Sequence, residues 1–278
     1  MSGDFLATMA DLSRARVARA RTALAPSELR ARARAAPEPP RLTLTGGFDL
    51  IAEVKLRSPA VGQLQSVDDD IAARVTDYAA GGAAAISVLT EPTRFDGSLE
   101  HLARATQALG SRIPAMRKDF LVDPYQLYEA RLAGAGGALV ILRMLTRAQI
   151  EALLETASEL RQFILLEAFD AADLELADSL LDQYERQATL LVGINCRDLT
   201  SLQVVPGRLE ALASLLPAGA PRVAESGIMT PADAAQLVTA GYNLALVGSA
   251  LMQAATPAAL MRAMLAAGRA AAGQRACG

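Results

Sequence analysis

The chain has 278 residues, of which 52% are hydrophobic, and its formal net charge at pH 7 is −3. This length is enough for one large hydrophobic core, and a charge so close to neutral argues against a basic surface for nucleic acid. No segment reaches the roughly 18 uninterrupted apolar residues that a membrane helix needs, and the N-terminus lacks a signal-peptide pattern, so we expect a cytoplasmic protein.

Histidine and cysteine are too scarce for several familiar kinds of active site. His101, the only histidine, falls within GSLEHLARATQAL, whose helical spacing predicts a surface position on a helix. Cys196 and Cys277 are the only cysteines, and their separation predicts neither a disulfide scaffold nor a zinc site. A Ser-His-Asp triad or a multi-histidine metal site is hardly available, so acid–base chemistry must fall on lysine, glutamate, aspartate, tyrosine or water.

Residues 1–46 are predicted to form an N-terminal helical extension, ahead of a catalytic domain that spans residues 47–278. In the extension, SRARVARARTAL and SELRARARAA have helical spacing, and the proline cluster PEPPR ends that pattern. From Phe48 onward, eight short apolar runs that are typical of strands alternate with longer amphipathic segments. The apolar runs are, in chain order, FDLIAEVK, AAAISVLT, IPAMRK, GALVILR, FILLEAF, TLLVGIN, PRVAES and LALVGS.

Each apolar run is followed by a segment with helical spacing. These segments are VDDDIAARVTDYAA, SLEHLARATQAL, PYQLYEARLAG, TRAQIEALLETASEL, DAADLELADSLLDQY, GRLEALASLL, TPADAAQLVTAG and TPAALMRAMLAAG. Strands that alternate with helices indicate a parallel sheet, and eight such units favour a closed (β/α)₈ barrel, the TIM barrel, of the α/β class. A doubly wound open sheet is the alternative, although no GxGxxG motif follows the first strand to favour it.

Several predicted helices begin with residues that can cap a helix N-terminus. Proline at the first helical position supports two of these starts, because its ring presets the helical φ angle. The predicted N-caps are Ser98, Thr146, Thr230 and Thr256, and the two prolines are Pro231 and Pro257.

Charged and amide side chains lie at the predicted carboxyl ends of the strands, where a TIM barrel has its active site. They are Glu53, Lys55, Lys118, Glu167, Asn195, Arg197 and Glu225. Strand alternation places Glu53 and Lys55 on one face, and likewise Asn195 and Arg197. A salt-bridge network at the rim would explain any one of these charges. Together, on five strand ends, they favour a catalytic site at the barrel mouth.

Two turns rich in small residues follow the last two predicted strands. The first contains Ser226 and Gly227, and the second contains Gly248 and Ser249. Small residues let backbone N–H groups approach an anion closely, and a following helix adds its positive end. Since the loops after strands 7 and 8 are the usual phosphate site of this fold, the two turns predict a phosphorylated small-molecule ligand.

Several motifs, in one register from about residue 5 to about residue 265, resemble the indole-3-glycerol phosphate synthase family. The RKDF–DPYQ–EAR–GA block and the INxRDL block are the most specific of them. The matching stretches are IAEVKLRSPAVG (51–62), ISVLTEPTRFDGSLEHL (86–102), MRKDFLVDPYQLYEARLAGAGGALVIL (116–142), LLEAFD (165–170), VGINCRDLTSLQV (192–204), VAESGIMTPAD (223–233) and LVGSALM (246–252).

The resemblance implies conversion of 1-(2-carboxyphenylamino)-1-deoxyribulose 5-phosphate to indole-3-glycerol phosphate, carbon dioxide and water in tryptophan biosynthesis, with no cofactor and no metal. The implied catalytic residues are Glu53, Lys55, Lys118, Glu167, Asn195 and Arg197. The implied substrate contacts are Ser58, Phe95, Phe120, Glu225, Ser226, Gly227, Gly248 and Ser249, of which Ser226 also matches a catalytic position.

The chemistry of these side chains suits that reaction. Lys55 or Arg197 could hold the substrate carboxylate, arginine through a bidentate pair. Ring closure needs an acid for the ketose oxygen, and dehydration needs an acid and a base, for which Lys118 and Glu167 are the candidates. We assign the general acid to Lys118, with Lys55 as the rival. Lys55 or Arg197 and burial would lower the pKa of Lys118, whereas nearby glutamates would raise it.

Three segments depart from the family pattern without removing a proposed catalytic group. They are the loop from Lys55 to Ala60, the LLEAFD strand, and Cys196, which stands where asparagine or serine is usual. Two other functions remain open. The reaction of phosphoribosylanthranilate isomerase would need a Cys–Asp pair for acid–base catalysis, but the first strand has no cysteine. A non-catalytic sugar-phosphate-binding paralogue would be indicated by loss of Lys118 or Glu167, and both are present.

Overall fold

Eight parallel strands close into a barrel, and neighbouring strands in the barrel are also neighbours along the chain. This is a computed structural model, and it describes residues 5–58, 62–63, 70–184, 186–198 and 201–276. The strands are β1 Asp49–Val54, β2 Ala85–Leu89, β3 Ala115–Lys118, β4 Gly137–Ile141, β5 Phe163–Ala168, β6 Leu190–Asn195, β7 Arg222–Glu225 and β8 Leu244–Val247. The predicted TIM barrel is confirmed, and the doubly wound alternative is wrong, because β8 pairs with β1.

Alternation along the strands divides the apolar side chains into two cores. Leu50 and Ala52 of β1 pack in a cluster with residues of the surrounding helices, whereas Ile51 packs in a second cluster with interior residues of other strands. Nearly every strand residue is buried, as expected for a sheet that is covered on both faces. Along the interior face, Glu53 lies one layer above Ile51, and Glu225 lies one layer above Val223.

The helices surround the barrel and precede it. They are α1 Phe5–Ala23, α2 Pro26–Ala35, α3 Ile71–Ala80, α4 Pro92–Phe95, α5 Leu99–Leu109, α6 Tyr125–Leu132, α7 Arg147–Leu160, α8 Ala171–Tyr184, α9 Arg208–Leu212, α10 Pro231–Ala240, α11 Ser249–Gln253 and α12 Pro257–Ala276. Among the helices of the described residues, none has both the length and the apolar character to cross a membrane.

Two predicted helices differ from their sequence patterns. The sequence pattern GRLEALASLL predicts a longer helix, but α9 has five residues and passes into a 3₁₀ turn at Ala213–Leu215. Leu216, which precedes Pro217, is extended, because proline disfavours a helical residue before it. The helix predicted in VDDDIAARVTDYAA begins only at Ile71, after the N-cap Asp70, and residues 64–69 lie outside the described residues.

The predicted caps explain where several helices begin. Thr146 and Thr230 each form a reciprocal capping box, and the Ser98 hydroxyl accepts the N–H of His101. At Thr256 the backbone carbonyl accepts the N–H of Leu260, and Pro257 takes the first helical position as predicted. The side-chain bonds at Ser98, Thr146 and Thr230 satisfy N–H groups that have no partner within the helix.

The helical extension packs closely on the barrel. Met9 of α1 and Ala33 of α2 are fully buried. The Arg131 guanidinium donates to the carbonyls of Ala36 and Pro37, which anchors the segment between α2 and β1. The boundary between a separate extension of residues 1–46 and a catalytic domain of residues 47–278 stays a prediction.

Candidate active site

A cavity of about 480 Å³ opens at the carboxyl ends of the strands. Its volume lies within the range of small-molecule sites. The predicted site residues that line it are Glu53, Lys55, Phe95, Lys118, Phe120, Glu167, Asn195, Arg197, Glu225, Ser226, Gly227, Gly248 and Ser249. The backbone of Ser58 pairs with that of Gly62 beyond β1, and the side chain of Ser58 lies outside the described part of the chain.

One side of the cavity holds an ion pair formed within a single chain segment. Lys55 follows β1, and its Nζ lies 2.8 Å from Oε1 of Glu53. Burial by itself raises the pKa of the Glu53 carboxyl group, but the charges of Lys55 and Lys118 outweigh that effect and lower it. Glu53 is therefore an anion that orients Lys55, as strand alternation predicts.

The cavity also holds a second lysine, which lies between two glutamates from other strands. Nζ of Lys118 lies 3.2 Å from Oε2 of Glu167 and 3.1 Å from Oε2 of Glu225. Burial alone lowers the pKa of the Lys118 ammonium, but the charges of Glu167, Glu225 and Glu53 together raise it above its ordinary value. The glutamates therefore determine the direction of a shift that the sequence leaves open.

Glu225 differs from Glu53 in the direction of its pKa shift. Its pKa is raised by burial first and then by the charge of Glu167, although Lys118 opposes both. Within the described part of the chain, Oε1 of Glu225 is buried and has no hydrogen-bond partner. Glu167, in contrast, accepts a hydrogen bond of 3.2 Å from Nδ2 of Asn195. The group therefore pairs an anchored carboxylate with one that readily takes up a proton.

Asn195 connects Glu167 to the loops after β6 and β7. Its Oδ1 accepts the backbone N–H of Arg197 at 2.9 Å and the hydroxyl of Ser226 at 2.8 Å. The Arg197 guanidinium donates to the carbonyl of Leu202 at 2.7 Å and also lines the cavity. These bonds fix the Asn195 amide so that its NH₂ group points to Glu167.

The two turns predicted to bind phosphate border the cavity beside β7 and β8. Ser226 and Gly227 are both left-handed, with φ angles of 71° and 77°. A non-glycine residue held in that region is strained, and such strain concentrates at functional sites. Gly248 lies against Glu53, because a Cβ atom there would fall 2.5 Å from Oε1 of that carboxylate. Gly248 therefore borders the Glu53–Lys55 ion pair as well as the turn.

Aromatic side chains form the apolar wall of the cavity. The rings of Phe95 and Phe120 lie 6.2 Å apart, and Phe5 meets Phe120 edge-on at 5.8 Å. Sequence reasoning missed Phe5, because it lies in the N-terminal extension and no local pattern connects α1 with the mouth. Leu202, Val204 and Met229 also line the cavity and were not predicted.

Sequence reasoning also missed the buried carboxylate next to Lys118. Asp119 accepts hydrogen bonds from Arg16 at 2.6 Å, Arg117 at 3.1 Å, Thr90 at 2.7 Å and the N–H of Phe120 at 2.8 Å. Burial raises its pKa, but the two arginines lower it overall. The RKDF motif could have predicted this buried carboxylate, because a charged side chain next to a buried strand needs a partner of opposite charge.

The remaining titratable side chains singled out in the sequence have structural surroundings. His101 is half-buried on α5, and burial together with Arg104 lowers its pKa. Cys196 is buried, its Sγ donates to the carbonyl of Ser226, and burial raises the pKa of its thiol to about 11. Among the residues that the structure describes, there is no group of three or more histidine, cysteine, aspartate or glutamate side chains that could hold a metal ion.

Comparison with solved structures gives the fold alone. The chain is similar to the crystal structure of 3-hexulose-6-phosphate synthase from Salmonella typhimurium, with a TM-score of 0.60 and 13% sequence identity. The match covers 79% of this chain and 98% of that one. At this identity the likeness supports a common barrel architecture, and function must be argued from the site.

Comparison at the level of sequence is far more specific. A sequence model of the indole-3-glycerol phosphate synthase family matches residues 6–264. The indole-3-glycerol phosphate synthase of Nocardioides sp. is 41% identical over 231 residues, covering 82% of this chain and 85% of that protein. That of Mycolicibacterium smegmatis is 38% identical over 258 residues, covering 92% and 91%. The chain belongs to the indole-3-glycerol phosphate synthase family.

Proposed function

We propose that the barrel mouth converts 1-(2-carboxyphenylamino)-1-deoxyribulose 5-phosphate to indole-3-glycerol phosphate, carbon dioxide and water. The observation that carries this proposal is the placement of Lys118 between Glu167 and Glu225, in the same cavity as the Lys55–Glu53 pair. Proton donors and acceptors are thus both available in a largely buried site, as a ring closure followed by a dehydration requires.

Each part of the substrate has a counterpart in the cavity. Backbone N–H groups near Gly227 and Gly248 suit the phosphate, because small residues permit close approach. Arg197 or Lys55 holds the benzoate carboxylate, and the aromatic ring lies against Phe95 and Phe120. Phe5 extends that apolar wall from α1.

Ring closure joins the carboxyl-bearing carbon of the aromatic ring to the ketose carbonyl carbon. As the new bond forms, the carbonyl oxygen takes a proton from Lys118 and becomes a hydroxyl group. Loss of carbon dioxide returns its electron pair to the ring and restores aromaticity. The raised pKa of Lys118 keeps its ammonium group protonated until negative charge develops on that oxygen.

Dehydration then forms the indole double bond. The hydroxyl group leaves as water after it gains a proton, and the neighbouring ring carbon loses one. We assign this exchange of protons to Glu167, whose Oε2 contacts both Lys118 and Asn195. Glu53 holds Lys55 at the end of β1, where the ammonium group can balance the substrate carboxylate.

We also propose that the protein acts in the cytoplasm. Its substrate and product both carry a phosphate, and transfer of an ionised group into an apolar medium is very costly. Such metabolites stay in the compartment where they are made. We therefore expect the enzyme, its substrate and its product to share one compartment, which we propose is the cytoplasm.

Product fluorescence tests the proposed function. The chain has no tryptophan, so indole emission appears against a low protein background. We expect turnover by the wild-type protein and a large loss of turnover in Glu167→Gln, which keeps the shape of the side chain but removes its charge.

Binding without turnover would indicate the non-catalytic paralogue, and turnover of phosphoribosylanthranilate instead would indicate the isomerase. The buried, hydrogen-bonded Cys196 gives no support to that isomerase.

A further inference from the structure

Gly193 is a glycine in the middle of a barrel strand whose backbone does not require one. It lies in β6, paired with Glu167 on β5 and Val223 on β7, and its φ angle is not in the left-handed region. Glycine in a strand interior weakens the strand, so its presence there usually marks a close approach.

The space above Gly193 is filled by the side chain of Glu225. A Cβ atom on Gly193 would lie 2.3 Å from Oε1 of Glu225, 3.3 Å from its Cδ, and 3.0 Å from Cδ1 of Leu165. Glu225 is 1% exposed, and its other oxygen contacts Nζ of Lys118 at 3.1 Å. The carboxyl group therefore reaches Lys118 by lying across the glycine.

We propose that Gly193 is a positioning residue for the reaction, which acts by leaving the interior space that Glu225 needs to reach Lys118. A methyl group at this position pushes the Glu225 carboxyl group away from Lys118, since 2.3 Å is far below van der Waals contact. Lys118 then keeps Glu167 but loses its second close carboxylate. This inference rests on the proposed function, because it assigns Lys118 to the proton transfer.

Gly193→Ala, Glu225→Ala and the double variant form a double-mutant cycle that tests the inference. Glu225→Ala removes the carboxyl group and leaves room for the added methyl. We expect Gly193→Ala to lower kcat roughly tenfold in the wild-type background but less than about twofold in the Glu225→Ala background. Gly219→Ala is the matched control, because a Cβ there meets no atom within 4 Å, and its kcat should be unchanged.

The pH profile separates positioning from a general loss of packing. In Gly193→Ala the basic limb of the kcat profile should move to lower pH, because one carboxylate that raises the pKa of Lys118 has moved away. An equal loss of kcat in both backgrounds, or an unmoved basic limb, would overturn the inference and assign the glycine to packing against Leu165.

The melting temperatures of the four proteins in the cycle test the same contact when a variant has no measurable kcat. If Gly193→Ala does not fold but the double variant does, the contact with Glu225 is established. If neither folds, the space serves the barrel itself and the inference fails. A wild-type protein without turnover would overturn the proposed function, whereas non-additive melting temperatures would still report the contact between Gly193 and Glu225.

Discussion

The two lysines of the cavity are held in different ways. Lys55 pairs with Glu53, two residues away on the same strand, whereas Lys118 pairs with Glu167 and Glu225, which are 49 and 107 residues away. The first pair follows from the alternation of one strand. The second exists only because the barrel brings β3, β5 and β7 around one interior.

This difference has an electrostatic consequence. Glu53 has a lowered pKa and stays charged beside Lys55, whereas burial and Glu167 raise the pKa of Glu225. Lys118 therefore lies next to one carboxylate that is hydrogen-bonded to Asn195 and another that can hold a proton. A lysine in such a group can pass a proton on and be reprotonated, whereas the Lys55 pair is suited to a fixed charge.

The largest effect is expected from Lys118→Ala. Loss of a general acid should lower kcat by roughly 10²–10⁴-fold, and Lys55→Ala, its matched counterpart, should lower kcat less and raise KM more. Single-turnover kinetics that resolve ring closure from dehydration provide the measurement. If Lys118→Ala slows only dehydration, the comparison is reversed and Lys55 is the general acid.

A smaller effect is expected from Glu225→Gln, which keeps a polar partner for Lys118 but removes its charge. Since Glu225 raises the pKa of Lys118, its neutralisation should lower that pKa and move the basic limb of the kcat profile to lower pH. We expect kcat at neutral pH to fall about tenfold, as for the loss of one charged hydrogen bond. An unmoved basic limb would show that the profile reports another group.

Gly248 tests the Lys55 side of the cavity. A methyl group there would press on Oε1 of Glu53, so Gly248→Ala should lower kcat by roughly threefold to tenfold with a smaller change in KM. Gly248→Asp adds a charge beside the turn proposed to bind phosphate, and it should raise KM through like-charge repulsion. Unchanged KM in Gly248→Asp would count against that phosphate site.

The smallest effect on activity is expected from Arg16→Met. It removes two hydrogen bonds, of 2.6 Å and 3.0 Å, to the buried Asp119, which keeps Arg117 as a partner. Loss of a hydrogen bond to a charged group costs about 1.5–3 kcal/mol, and the partial exposure of Arg16 places the expected loss of stability at the lower end. Arg14→Met is the control, because Arg14 pairs with Asp11 on the surface of the same helix. Denaturant unfolding should distinguish the two, and equal stability would show that Asp119 does not need α1.

Local patterns in the sequence were sufficient for much of the fold. Alternating apolar runs predicted eight strands, and Thr146 and Thr230 capped helices where the sequence indicated. The pattern predicted too long a helix at α9, where a 3₁₀ turn replaces the end of the predicted helix and Pro217 keeps Leu216 extended. For the candidate site, strand ends and motif resemblance predicted residues that line the cavity, but not the partners of those residues.

The sequence by itself determined the features that depend on residues a few positions apart. These are strand alternation, the helix caps and the Glu53–Lys55 pair. Only the tertiary structure decided the direction of the Lys118 pKa shift, the approach of Phe5 to Phe120, and the burial of Glu225 over Gly193. These features rest on contacts between distant parts of the chain. Electrostatic and steric interactions depend on separation in space, and barrel closure sets that separation for residues that no local pattern relates.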